Sequence, residues 1–341
     1  MTDLTRYSRQ VLFPGIGEAG QALLLASRVV IVGCGALGSA QAEALARAGV
    51  GRIRILDRDF VEPSNLQRQT MFTERDAAER IPKSVAAAKH IADINSEIQV
   101  EPHVVDVNYS NIEALLAGAD VVLDGTDNFA TRYLINDACV KGGIDWIYGA
   151  AVASYGVTMT IRPHQTACLR CVFEEAPPAA SSPTCDTAGV IMPIISVVAA
   201  TQVTEALKLL TWHDELLHKS LMQFDVWTNE WRRMKMGERS PNCPTCAQGV
   251  FETLEPVSAE PVAVLCGRDA VQISPASPVQ IDLPQLAKKL GAAGEVKVNE
   301  YLLRFRAGDY ELTVFRDARS IIRGTTEVAT ARSIYARYVG N

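Results

Sequence analysis

The run Arg28-Val29-Val30-Ile31-Val32-Gly33-Cys34-Gly35-Ala36-Leu37-Gly38 constrains this chain more than any other segment. Its β-branched stretch is apolar on both faces, the pattern of a parallel strand covered by helices on two sides. Gly33, Gly35 and Gly38 then make a G-x-G-x-x-G between strand and helix. Glycines there permit a tight turn and let phosphate or ribose approach backbone N–H groups at a helix N-terminus. Residues 35–48 are expected to form that helix, Gly49 and Gly51 to close it, and Arg52-Ile53-Arg54-Ile55-Leu56-Asp57 to form the next strand. Asp57 follows Gly38 by 19 residues, and a carboxylate so placed accepts hydrogen bonds from both hydroxyls of a ribose. The unit reads as a right-handed βαβ crossover that binds a nucleotide. NAD and ATP share an adenosine, so the loop alone does not separate them.

The alternation continues with helices at 84–94, 111–117 and 130–141, strands at 100–107 and 121–124, and a further strand beginning at 146–148. Repeated β and α elements predict an α/β fold, a Rossmann-like doubly wound mixed sheet. After Cys246 the texture changes to short strands (262–266, 271–274, 302–306, 312–315) and two helices, near 283–290 and 327–338. We therefore expect a first domain over 1–250 and a small C-terminal α+β domain over 255–341, a division that suits a chain of 341 residues.

The net charge of −6 argues against nucleic acid as a partner, because phosphate-backbone binding needs a basic surface. Residues 1–6 lack the apolar core of a secretory signal. The stretch 187–204 holds 18 uncharged residues, but Gly189, Pro193, Ser196, Thr201 and Gln202 dilute it. A buried helix starting near Pro193 is the expectation, with no membrane span and a cytoplasmic location.

Four of the eight cysteines form two clips, Cys168-x-x-Cys171 and Cys243-x-x-Cys246. Four thiolates suit a closed tetrahedral Zn²⁺ site with a structural role, stapling two distant segments of one domain. A thioredoxin-like redox pair is the rival reading of a single clip. Cys185 follows the Pro/Ala/Ser-rich stretch 177–183 and reads either as an exposed nucleophile or as incidental. Cys34, Cys139 and Cys266 lie in apolar stretches and read as small core residues.

The stretch from Asp57 to Gln69, D-R-D-F-V-E-P-S-N-L-Q-R-Q, resembles the D-x-D-x-V-x-x-S-N-L-x-R-Q signature of ubiquitin-activating enzymes and of the ThiF/MoeB sulfur-carrier adenylyltransferases. Arg6-Tyr7-Ser8-Arg9-Gln10, Pro82-Lys83, Thr126-Asp127-Asn128 and both cysteine clips match as well, in order, over residues 6 to 248. The resemblance implies ATP-dependent adenylation of the C-terminal carboxylate of a ubiquitin-like sulfur-carrier protein. It implies that Arg68 and Lys83 neutralise the triphosphate and that Asp127 holds Mg²⁺ through hard oxygen ligands. Asp59, Asn65 and Asn128 would border the nucleotide, and Arg9 would reach across a homodimer interface to the phosphates. In some relatives the cysteine matching Cys185 bonds covalently to the activated carrier; in others it is dispensable.

The segments Cys185-Asp186-Thr187-Ala188-Gly189, Phe224-Asp225-Val226-Trp227 and the C-terminal extension are similar to the ThiF-type subgroup. That similarity implies a ThiS-like carrier for thiamine thiazole synthesis, with a separate sulfur donor protein. A MoaD-like carrier for molybdopterin synthesis is the alternative within the same chemistry. A NAD-dependent oxidoreductase is the alternative from another class, and it leaves Arg68, Lys83 and the clips without a role. The extension is too short for a rhodanese domain, so a built-in sulfurtransferase is not expected.

Overall fold

The computed structural model of the chain describes residues 4–175, 188–255, 262–265, 269–275 and 279–340. Cys185, Cys266 and the stretch 177–183 lie outside them. The chain divides into two compact units, Met1–Pro256 and Val257–Asn341.

The first unit is built on an eight-stranded mixed sheet: β1 (Arg28–Val32), β2 (Arg52–Asp57), β3 (Gln99–Val104), β4 (Val121–Asp124), β5 (Asp145–Val152), β6 (Tyr155–Ile161), β7 (Ser220–Asp225) and β8 (Glu230–Lys235). Their spatial order is β3-β2-β1-β4-β5-β6-β7-β8. Neighbours from β3 through β5 pair in parallel, whereas β5 to β8 pair antiparallel. The strand order reverses between β1 and β4, so the loops leaving their carboxyl ends flank a crevice. Open α/β sheets bind their ligands at such a switch point.

Strand β1 is covered on both faces, as its β-branched run requires. Val29 and Ile31 pack into one apolar cluster with Leu45, Ile53 and Ile55; Val30 and Val32 pack into another with Val122, Trp146 and Tyr148. The helix Ala36–Ala48 follows the glycine loop and ends on Gly49 in the left-handed conformation, φ 81°, a stop that glycine makes without a side-chain clash. The helix Met192–Leu210 begins with Pro193 in its first turn and packs against the helix Ala36–Ala48 and strands β5 and β6. Its most apolar window is 56% buried, which makes it a core helix, as the diluting polar residues predict.

The second unit is a six-stranded antiparallel sheet in the order β11-β12-β13-β14-β10-β9, from β9 (Val262–Leu265), β10 (Ala270–Ile273), β11 (Glu295–Val298), β12 (Leu302–Ala307), β13 (Tyr310–Phe315) and β14 (Ser320–Arg323). The helices Leu283–Leu290 and Val328–Tyr338 supply Leu286, Leu290, Ala331 and Ile334 to its core beside Leu303, Phe305, Leu312 and Ile322.

Candidate nucleotide site and cysteine cluster

The turn after β1 closes because three glycines interlock. Gly33 sits at φ 88°, and a Cβ there would lie 2.7 Å from the Gly125 carbonyl oxygen. A Cβ on Gly38 would lie 1.8 Å from the Gly33 oxygen, and one on Gly125 would lie 2.3 Å from the same atom. Helix, strand and the loop after β4 meet here with no room for a side chain. Gly35 differs: a Cβ there would meet nothing closer than 3.9 Å. Gly35 is the N-cap of the helix Ala36–Ala48, and no side chain caps that end. The first turn of that helix is thus left without a side-chain cap at the positive end of its dipole, an arrangement that suits an anion.

Asp57 stands at the carboxyl end of β2 and organises this turn. Its carboxylate accepts from the Cys34 N–H at 2.6 Å and from the Asp59 N–H at 2.6 Å. Burial pushes the Asp57 carboxyl up; Lys83 pulls it back and Asp59 pushes it further up. Lys83 is 5% exposed, and its ammonium lies 3.4 Å from Asp59. The Lys83 N–H also donates to the Asp59 carbonyl at 2.9 Å. Gly33–Gly38, Asp57, Asp59 and Lys83 therefore form one bonded group.

The remaining candidates lie on neighbouring loops. Asn65 is buried and accepts from the Glu62 N–H at 3.0 Å, holding the short turn Pro63–Asn65. Arg68 is half-buried, and its guanidinium donates to the Ser64 carbonyl at 2.9 Å. Asp127 and Asn128 are exposed on the loop after β4. Asn128 caps the helix Phe129–Gly142 by accepting from the Thr131 N–H at 2.9 Å. Arg9 is exposed on the helix Ser8–Val11, and no hydrogen bond or ion pair among the described residues joins it to this group. Cys34 is fully buried; burial and then Asp57 push its thiol well up, so it is a packing residue.

Several residues that hold the site were not singled out from the sequence. Arg58 donates to Asp106 at 3.0 Å; burial opposes its charge, but Asp106, Asp59 and Asp127 outweigh that and raise its pKa. Asp124, fully buried at the end of β4, accepts from the Thr126 N–H at 2.8 Å and pairs with Arg132 at 3.3 Å. Arg132 also donates to the Thr126 carbonyl at 2.7 Å, so this pair sets the path of the loop that carries Asp127. Gln41 and Gln202 bond to each other at 2.6 Å and both donate to the Asp124 carbonyl. Only the lone Asp at the end of an apolar strand gives a hint of this network in the sequence.

The two cysteine clips meet. Their four sulfur atoms lie within 4.8 Å of one another, with Cys168–Cys243 at 3.6 Å, Cys171–Cys246 at 3.4 Å and Cys168–Cys171 at 3.9 Å. Those separations are far beyond a disulfide bond and near the ~3.8 Å sulfur–sulfur spacing of a tetrahedron with metal–sulfur bonds of about 2.3 Å. The hydrogen bond with Cys171, then burial, push the Cys168 thiol up, and burial pushes Cys246 up to about 11. Cys171, which accepts from Cys168, is held down to about 4. A divalent cation would displace the remaining protons. Buried Asn136 and Asp137 of the helix Phe129–Gly142 anchor both clips, accepting from the Leu169 N–H at 2.9 Å and the Thr245 hydroxyl at 3.0 Å.

The fold and the glycine turn define a Rossmann-like nucleotide-binding protein with an added four-thiol metal-type cluster. The ThiF family model matches residues 7–245, and the chain belongs to that family. It is 46% identical, over 98% of its length and 99% of the relative's, to "Sulfur carrier protein ThiS adenylyltransferase" of Bacillus subtilis. It is 39% identical to "SAMP-activating enzyme E1" of Haloferax volcanii over 75% of this chain and 93% of that one. The crystal structure of E. coli MccB superposes with a TM-score of 0.63 at 24% identity, covering 72% of this chain and 73% of that chain, a likeness of fold.

Proposed function

We propose that this protein is an adenylyltransferase that activates the C-terminal glycine carboxylate of a ThiS-like sulfur-carrier protein with ATP, releasing pyrophosphate. The observation that carries the reading is the 46% identity, spanning nearly the whole of both chains, to an enzyme of that name. A MoaD-like carrier is less favoured, since it rests on relatives that align with only part of this chain, such as "Adenylyltransferase and sulfurtransferase MOCS3" of Anopheles gambiae at 72% of it.

In this reading Asp57 accepts the ribose hydroxyls, and the Gly33–Gly38 turn with Asp59, Asn65 and Asn128 surrounds the nucleotide. A carboxylate oxygen of the carrier attacks the α-phosphorus, and the bond from that phosphorus to the β-phosphate bridging oxygen breaks. Two anions approach and charge spreads over phosphate oxygens, so fixed cations dominate the rate. Arg68 and Lys83 supply them, and Arg9 of a second subunit in a homodimer completes the set. Asp127 would hold Mg²⁺, which supplies further charge neutralisation on the triphosphate. Cys168, Cys171, Cys243 and Cys246 would hold a structural Zn²⁺. A cluster of free thiols belongs in a reducing, cytoplasmic compartment.

Residues 1–250 form the adenylation domain in this account, and 255–341 an appended α+β domain. Relatives such as the Haloferax protein, which aligns over 93% of its own length with only 75% of this chain, support that division. Cys185 remains a candidate for a covalent link to the carrier, tested by its alanine variant.

The test of the function is exchange of labelled pyrophosphate into ATP, with ThiS-type and MoaD-type carriers added in turn. Exchange that needs the ThiS-type carrier supports the proposal. Hydride exchange on a nicotinamide cofactor without pyrophosphate exchange would overturn it.

A further inference from the structure

The dipeptide Arg239-Ser240 precedes the second cysteine clip and touches both clips. The Ser240 carbonyl accepts from the Cys243 N–H at 3.1 Å, and the Ser240 N–H bonds the Cys171 sulfur. The Arg239 guanidinium donates to the Cys246 carbonyl and, at 3.4 Å, to the carbonyl of His164, on the loop that leads into Cys168. Burial pushes the Cys246 thiol up, and a hydrogen bond from Arg239 works against that push. Arg239 is half-buried; among the described residues its buried Nε has no hydrogen-bond partner and its charge pairs with no carboxylate. Arg170, inside the first clip, differs: it pairs with Glu252 at 2.8 Å.

Four thiolates around one Zn²⁺ leave a net dianion, and a partly buried charge of that sign is costly without a cation beside it. We propose that Arg239 is a positioning residue through which this chain retains zinc, its guanidinium, fastened beside both clips, offsetting the negative charge of the metal–thiolate cluster. Arginine suits the task because its planar fork bonds several acceptors at once and never loses its proton. A charge-assisted hydrogen bond to a thiolate also opposes the protonation that would release the metal. The inference rests on the reading of the four cysteines as a structural zinc site and is independent of the adenylation chemistry.

The experiment uses the zinc-loaded full chain as wild type, Arg239→Gln and Arg239→Lys, and measures the rate of zinc transfer to an excess of chromophoric chelator under reducing conditions. Glutamine keeps amide donors without the charge, and lysine keeps the charge without the fork. Arg239→Gln should release zinc about tenfold faster than wild type, the scale for losing an outer partner of a metal ligand. Arg239→Lys should recover most of that loss and stay within about threefold of wild type. A residue that only held the loop by its hydrogen bonds would leave the two variants alike.

Zinc release from Arg239→Gln at the wild-type rate overturns the proposal, and so does release from Arg239→Lys as fast as from Arg239→Gln. Should Arg239→Gln fail to fold, Arg239→Met, which keeps the aliphatic stem without the charge, is compared with Arg239→Lys in the same way. Wild-type protein that takes up no zinc under reducing conditions overturns the zinc reading and this inference with it. Zinc-loaded wild type whose two variants release alike overturns the inference alone.

Discussion

Lys83 shows how much of the chemistry is stored in single side chains. An ammonium that is 5% exposed is costly to bury and is stabilised here by Asp59 at 3.4 Å, with Asp57 one bonded step away. If these charges are set to receive a triphosphate, Lys83→Ala and Arg68→Ala should each lower carrier-dependent exchange by roughly 10²-fold, the scale for losing one preorganised electrostatic group. A loss of only tenfold or less at both positions, measured by steady-state exchange, would put the phosphates elsewhere.

Asp57 makes a second residue-scale prediction, in pH. Burial raises its carboxyl above the ordinary aspartate value of about 3.9, and the ionised form is the one that accepts ribose hydroxyls. Nucleotide affinity should therefore fall as pH drops through the raised value, before an ordinary aspartate would titrate, while Asp57→Asn binds weakly with no such fall. The stability linked to this group has the opposite sign. A folded-state pKa above the unfolded one favours the protonated fold, so its contribution improves as pH falls through that window. Isothermal titration across pH, alongside denaturant unfolding, separates the two. At this scale the glycines, Asp57 and the thiol clips were legible because sterics and ligand spacing leave few substitutes. Arg58 and Arg132 were not, because an arginine outside a recognised cluster reads as solvated until the fold shows what it faces.

Elements carry the site to its place, and their ends can be tested. The oxygen of Asn128 caps the helix Phe129–Gly142 at 2.9 Å from the Thr131 N–H. Asn128→Ala should cost about 1 kcal/mol in urea unfolding and Asn128→Ser should restore most of it. If Asn128 also borders the nucleotide, as proposed, the serine variant will regain stability without regaining full ATP affinity. The βαβ alternation through β4 was readable because buried parallel strands and amphipathic helices keep distinct periods. The antiparallel half was not: β8 is exposed along its whole length, and Glu230-Trp231-Arg232-Arg233-Met234-Lys235 has no apolar period to read. The sequence expectation of a strand over 100–107 also overran, since β3 ends at Val104. The strands β11 and β14 also escaped notice: β11 is mostly exposed with Glu295 and Lys297 in it, and β14 has only two isoleucines between Ser320 and Arg323.

At the scale of the whole molecule, the thiol cluster links residues 75 positions apart in the chain, and the helix Phe129–Gly142 runs from the candidate nucleotide loop to the groups that hold both clips. A metal there would act on folding. Chelation, or Cys243→Ser, should lower the melting temperature and release one equivalent of zinc by elemental analysis, while the fraction that stays folded keeps its exchange rate. Loss of exchange at an unchanged melting temperature would instead make the metal part of the chemistry.

The account turns on the direction of the bound triphosphate, and the measurement that reads it is a structure with a non-hydrolysable ATP analogue. We predict the ribose hydroxyls on Asp57, the phosphates over the Gly35 turn and the β- and γ-oxygens against Arg68 and Lys83. A triphosphate directed away from those cations would contradict it.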